Sequence, residues 1–301
     1  MQHQTRCPVC ESVNIGYRFQ AGEARQPYNP PRWSVFGCDD CGLIFVNPRP
    51  TWEELSDYHQ PTFQCYNAID QNEDHLLEEA LHSGQFRHIP VPVGKRLLDV
   101  GCGGGSFLRI FKQMGVAEVK GVEPSEAAAA AGRACGTDIF TGTLEEYVEQ
   151  EGCDHKYDVI TCSHVLGSTP QPVETLSAMQ KLLAPNGYIA IFVPNYACAA
   201  AQELSWRWHS FDLPYNLIQY TSKNLAIAGE RAGLMVRRHY TYSLPEAVAY
   251  SICLQRRHRW ATPHSITRKF LSEKYVRQIA ADLDSRGEGE AIMMEFCHPF
   301  A

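Results

Sequence analysis

The chain has 301 residues, 44% of them hydrophobic and 20% charged, which suffices for one large core and a small appendage. No apolar run reaches the length of a membrane span and residues 1–6 lack the apolar centre of a signal peptide, so the expectation is a cytoplasmic protein with no membrane partner. A formal net charge of −7 argues against a general affinity for phosphate backbones and leaves room only for a local basic patch.

Twelve cysteines in a chain of this size, with no export signal, point to metal rather than to disulfides. Cys7-Pro8-Val9-Cys10 and Cys38-Asp39-Asp40-Cys41 are two C-x-x-C knuckles, and four thiolates so spaced predict a closed structural Zn2+ site. A redox dithiol is the minor alternative. Between the knuckles stand Gly16, Gly22, Pro27, Pro30 and Pro31 with few aliphatics, so this segment depends on the metal for its fold. Residues 1–50 are therefore expected to form a zinc ribbon, closing with a strand at 43–46 that leaves through Pro48 and Pro50. Thr51 followed by Glu54 is the capping-box pattern of a helix start. Residues 51–94 are expected as a helical connector or cap, with Leu76, Leu77, Ala80 and Leu81 on one face.

Residues 97–100 read as a short buried strand that runs into a glycine-rich turn, after which Phe107, Leu108, Ile110, Phe111 and Met114 recur at helical spacing. Glycines at 101, 103 and 105 let the backbone approach a ligand where a side chain would obstruct it. A dinucleotide fingerprint requires a further glycine where Ser106 stands, so the pattern is Asp-x-Gly-x-Gly-x-Gly instead. The next strand, 116–122, ends at Glu123, where a carboxylate accepts both hydrogens of a ribose diol. Later strands are predicted at 156–164, after a Pro185-Asn186-Gly187 turn, at 234–242 and at 291–297.

The glycine pattern, Glu123 and the order of the later strands resemble the class I S-adenosylmethionine (SAM)-dependent methyltransferases over about residues 95–300. The resemblance implies an α/β fold with a doubly wound, mostly parallel seven-stranded sheet whose last strand is antiparallel. It also implies a SAM site formed by Asp99, Gly101, Cys102, Gly103, Gly105, Glu123 and Ser163, and a methyltransferase domain over residues 95–301. A zinc ribbon ahead of such a domain resembles enzymes that modify sugars, natural products and other small molecules.

His164 follows the strand at 156–164 and is the leading candidate for a base; relatives often read His-x-x-Glu-His there, whereas this chain keeps the first histidine and lacks the Glu-His pair. Residues 206–222 resemble the family's substrate-side loop, with Asn216 where a histidine is usual. Its aromatics and His209, the second catalytic candidate, either stack on an acceptor or seal the core. Arg256, Arg257, His258 and Arg259 beside Trp260, with Arg268 and Lys269, either grip phosphate or form a solvated face.

The leading reading is methyl transfer from SAM to a small-molecule acceptor: a sugar, a carrier-bound intermediate or a secondary metabolite. One alternative is an RNA methyltransferase that grips nucleic acid with the ribbon and the basic cluster. Another is a non-catalytic protein that retains the fold for binding.

Overall fold

The computed structural model describes residues 1–22, 32–51, 54–55, 92–260 and 264–299. The chain begins with three antiparallel strands, β1 (Ile15–Ala21), β2 (Trp33–Cys38) and β3 (Ile44–Val46). An alternation of strand and helix follows: β4 (Arg96–Val100), α1 (Ser106–Gln113), β5 (Glu118–Glu123), α2 (Glu126–Ala134), β6 (Asp138–Thr141), α3 (Leu144–Glu151), β7 (Tyr157–Ser163), α4 (Pro172–Leu182) and β8 (Leu183–Pro194). Then come α5 (Ala199–Leu204), the short β9 (Ile218–Gln219), α6 (Ser222–Arg231) and β10 (Met235–Tyr242). Three helices, α7 (Pro245–Trp260), α8 (His264–Lys269) and α9 (Glu273–Ser285), precede the final strand β11 (Ala291–Cys297).

The seven-stranded sheet has the order β10-β11-β8-β7-β4-β5-β6. β8, β7, β4, β5 and β6 run parallel, and β11 is antiparallel to both of its neighbours, as expected. Ile189, Ala190, Ile191, Phe192 and Val193 are all buried in succession, because helices cover both faces of this strand and leave no side for polar residues. The predicted Pro185-Asn186-Gly187 turn is a loop-out within β8, between the pairs Tyr157↔Leu183 and Val159↔Tyr188. Side-chain caps start the helices where the sequence changes period: Ser125 accepts from Ala128 at α2, while Thr143 with Glu146 and Thr221 with Asn224 form capping boxes at α3 and α6.

The strand order reverses at β4, with β5 on one side and β7 on the other. Successive connections leave in opposite directions at such a point and open a crevice at the carboxyl ends of the strands. Asp99, Glu123, Ser163 and His164 all lie at that edge.

The ribbon is wired into the rest of the chain. β3 pairs with β9, Ile44 opposite Gln219 and Phe45 opposite Ile218, so the four-stranded sheet β1-β2-β3-β9 draws its last strand from beyond β8. Val35, Phe45 and Val46 share one hydrophobic core with Leu98, Ile191 and Leu225. Arg231 of α6 donates to the Val9 carbonyl at 2.7 Å, inside the first knuckle, and pairs with Glu11. Thr51 and Glu54 make the predicted reciprocal capping contacts, Thr51 N–H to Glu54 Oε2 at 2.8 Å and Glu54 N–H to Thr51 Oγ1 at 3.3 Å. The expected apolar helical face at Leu76, Leu77, Ala80 and Leu81 lies outside the described residues, as do Pro27, Pro30 and Pro31.

Candidate functional site

Two like-charged clusters stand out, one of thiols and one of carboxyls. The ligand atoms of Cys7, Cys10, Cys38 and Cys41 all lie within 4.8 Å of one another, with Cys7 Sγ 3.6 Å from Cys41 Sγ and Cys10 Sγ 3.5 Å from Cys38 Sγ. A tetrahedral zinc with Zn–S bonds of about 2.3 Å requires sulfur–sulfur edges of about 3.8 Å, so the four thiols fit that ion. Each knuckle turns through a left-handed residue directly after its second cysteine, Glu11 at φ 60 and Gly42 at φ 77. The carbonyls of Cys7 and Cys38 accept from Glu11 and Gly42 there. Cys7 is held down to about 5 by the hydrogen bond from Cys41, which pushes Cys41 far up, and burial raises Cys10 to about 11. Metal ligation by cysteine requires the thiolate, so a bound cation would draw these thiols to their deprotonated form.

The second cluster lines the crevice at β4. Asp99 is buried and accepts from Thr161 Oγ1 at 2.7 Å. Burial, opposed by that hydrogen bond and reinforced by the charge of Glu123, raises it to about 7. Glu123 is also buried; its Oε2 accepts from Gly103 N–H and its Oε1 from Ser125 N–H, both at 2.9 Å. Burial nevertheless lifts its pKa, outweighing the two backbone donors. Among the described residues no Lys or Arg pairs with either carboxyl, which is why burial raises both.

The loop between β4 and α1 has the shape the glycines predict. Gly101, Gly103 and Gly105 all take left-handed φ, at 72, 55 and 75. A Cβ on Gly101 would stand 2.2 Å from Val165, so even alanine is excluded where the loop after β4 passes the loop after β7. Cys102 N–H donates to the Val122 carbonyl, its carbonyl accepts from Gly105, and its thiol packs against Gly121 in the core. It shapes the loop from behind and presents no free donor to a ligand.

Ser163 ends β7, half-buried, and His164 follows with its N–H donated to the Phe192 carbonyl at 2.8 Å. His164 takes φ 57, a left-handed conformation that disfavours any residue with a Cβ and that collects at functional sites. Solvent reaches its ring, yet the surrounding protein withdraws enough water to hold its pKa below the ordinary histidine value. Desolvation thus favours the neutral imidazole.

The structure also decides between two readings of the segment after β8. Trp208 is fully buried and seals the core rather than facing a ligand. His209 packs edge-on against Trp208 and Tyr250, and its Nδ1 lies 3.5 Å from Ser251 Oγ, which donates to buried Glu290 at 2.9 Å. Burial lowers His209 to about 4. No described contact joins it to His164. Asn216 closes its own turn by donating to the Ser210 carbonyl at 3.0 Å, while Ser168 donates to the Tyr215 carbonyl. The loop after β7 is thereby tied to the segment that supplies β9.

Thr161, Ser125, Ser251 and Glu290 were not singled out from the sequence. Thr161 carried a signal, a lone hydroxyl within the apolar run of β7, whereas Glu290 is separated from Ser251 by 39 residues and is brought to it only by the fold.

A mostly parallel sheet with a switch point, and a glycine loop and two buried carboxyls at its carboxyl edge, define an open α/β fold with its ligand crevice at that edge. The family model described as "Methyltransferase domain" matches residues 74–239, and the chain belongs to that family. It is 33% identical over 151 residues to a ubiquinone biosynthesis O-methyltransferase of Vibrio cholerae, covering 48% of this chain and 56% of that protein. A protein of the same name from Vibrio atlanticus is 36% identical over 150 residues, with 48% and 57% covered. The match thus spans just over half the length of these curated relatives. Among solved structures, a SAM-dependent methyltransferase from Archaeoglobus fulgidus aligns with a TM-score of 0.50 at 20% identity, over 72% of this chain and 92% of that one. A chain from the complex between the Haloferax volcanii Trm112 methyltransferase activator and a methyltransferase aligns with 0.51 at 16% identity, over 77% and 96%. These two establish the likeness of fold. Among the described residues no helix is long and apolar enough to cross a membrane.

Proposed function

We propose that this chain transfers a methyl group from SAM to a small-molecule acceptor, with a structural Zn2+ held by Cys7, Cys10, Cys38 and Cys41. The observation that carries the reading is the crevice at β4, where left-handed glycines leave the backbone bare and Asp99 and Glu123 stand buried with no Lys or Arg paired to them among the described residues. SAM supplies an electrophilic methyl on a sulfonium and carries an ammonium group besides. Asp99 and the loop residues Gly101, Gly103 and Gly105 would hold its amino-acid half, and Glu123, already fixed by Gly103 and Ser125, would take the ribose hydroxyls through its remaining lone pairs.

Displacement at a methyl carbon demands an aligned nucleophile and little water. Ser163 and His164 stand at the end of β7, beside that crevice, and orient the acceptor. The neutral His164 ring takes the proton of the acceptor hydroxyl as the oxygen attacks. The O-methyltransferase relatives favour oxygen as the attacking atom. His209, with its pKa near 4 and packed behind Trp208, supports the wall of this side rather than the chemistry.

The test is calorimetry with SAM and its demethylated product, followed by mass spectrometry of methylated products from a panel of phenols and sugars. Binding of the cofactor with turnover of a hydroxylated acceptor is the expected result. A chain that binds neither form of the cofactor overturns the proposal.

A further inference from the structure

The helices between β10 and β11 form a unit with its own small core, in which Val248 and Ala249 of α7 meet Val276 and Ala280 of α9. Its outer surface is unlike the rest of the chain. Residues 256–277 carry seven Lys and Arg against a single Glu, in a protein whose net charge is −7. Arg259 is paired with Glu203 and Arg277 with Glu273, whereas Arg256, Arg257, Arg268 and Lys269 have no ion pair among the described residues. Beside these cations Trp260, Ile266 and Phe270 are 65%, 48% and 75% exposed.

The arrangement on α8 is ordered. Thr267 is buried and marks the inner side of the helix. Ile266 and Phe270, four residues apart, flank it on one side, and Arg268 and Lys269 fall on the other and outer sides. An apolar ridge thus runs alongside a cationic one.

From this face we infer a docking site for an anionic phospholipid surface. The apolar side chains protrude rather than line a groove, so they suit a deformable interface into which Trp, Phe and Ile insert. Unpaired cations at the same level complement lipid phosphates. A phosphodiester strand would use the cations but gain little from Ile266 and Phe270. The expectation of no membrane partner is thereby revised for a peripheral contact, with no spanning segment implied. The same α7 carries Tyr250 against His209, so docking would turn the acceptor side of the domain toward the bilayer. The inference does not depend on methyl transfer.

The experiment is cosedimentation of the full chain with vesicles of phosphatidylglycerol and phosphatidylcholine, against vesicles of phosphatidylcholine alone, at low and high salt. Binding to the anionic vesicles only, weakened by salt, is expected. Phe270→Glu and the double variant Arg268→Glu/Lys269→Glu should each lower the partition coefficient by about tenfold or more. The control Lys223→Glu, an exposed charge on α6, should leave it unchanged. All these positions are solvent-facing, and circular dichroism and the melting midpoint confirm that each variant is folded. Equal sedimentation with and without vesicles overturns the inference, as does binding that survives both patch variants. Retention by a single-stranded RNA oligonucleotide without affinity for anionic vesicles also overturns it, and assigns the cations to nucleic acid.

Discussion

The thiol cluster of the ribbon and the carboxyl pair of the crevice pose the same physical problem in two settings. Each gathers groups that repel one another once ionised, and each keeps them from water, so in each the ionised form needs a cation while the protonated form does not. They differ in how the groups are brought together. The four cysteines come as two local pairs, each set by its own tight turn, and the ribbon contributes few apolar residues beyond the core that it shares with β9 and α6. Asp99 and Glu123 sit at the ends of adjacent parallel strands and are placed by a sheet that is stable without them. Loss of the cation should therefore disorder the first cluster and merely discharge the second.

Zinc removal should produce the largest effect. Structural zinc binding is worth on the order of 10 kcal/mol. Because the ribbon shares its core with the domain and pairs with β9, Cys41→Ser or chelation should lower a single cooperative thermal transition. An appendage independent of the large core would instead unfold over residues 1–50 while the larger domain survived. Two resolved transitions in calorimetry, with the second at its original temperature, would restore that picture. Elemental analysis should find one zinc per chain.

Asp99→Asn probes the other cluster through pH. The folded-state pKa of Asp99 is about 7, above its ordinary 3.8, so its favourable protonated state is fully present below about pH 4 and is lost as pH rises through 7. The variant keeps the acceptor oxygen for Thr161 and has no charge to bury. Relative to the wild type it should gain stability between pH 4 and 8, by up to about 4 kcal/mol at 1.36 kcal/mol per unit. SAM affinity of the wild type should rise as pH passes 7, while that of the variant stays flat. Parallel melting curves for the two proteins across this range would remove Asp99 as an isolated buried acid.

His164→Ala should reduce single-turnover rate on the order of a hundredfold while sparing cofactor affinity. The acid limb of the pH–rate profile should lie below the ordinary histidine pKa, because desolvation favours the neutral ring. A variant within about threefold of wild type at every pH would refute the base assignment. Glu123→Ala should weaken SAM binding by roughly 1.5–3 kcal/mol, the range for a charged hydrogen-bond partner. Glu123 also holds Gly103 and Ser125, so Glu123→Gln, which keeps one acceptor oxygen, should lose less. Equal losses in the two variants would mean that only the charge matters.

Much of this protein could be read from local patterns because its chemistry is locally written. The C-x-x-C knuckles, the glycine turn and the strands at 97–100 and 291–297 each depend on a few neighbouring residues, and the structure forms them where period and turn chemistry predicted, while the strand expected at 116–122 forms at Glu118–Glu123. Residue types alone likewise marked Asp99, Glu123 and His164 as able to carry charge or a proton. Their environments were not readable in that way. Thr161 reaches Asp99 because β7 lies beside β4, and among the described residues no basic side chain pairs with the two carboxyls. His209 lies half-buried against Trp208 and Tyr250 with Ser251 and Glu290 behind it, neighbours that its own sequence segment does not reveal. The ribbon looked like an appendage until β9 (Ile218–Gln219), far downstream of β3 (Ile44–Val46), completed its sheet. Sequence determines which groups are able to ionise, turn or coordinate. Desolvation and long-range pairing depend on neighbours that only the tertiary fold brings together, and these decided which of those groups work.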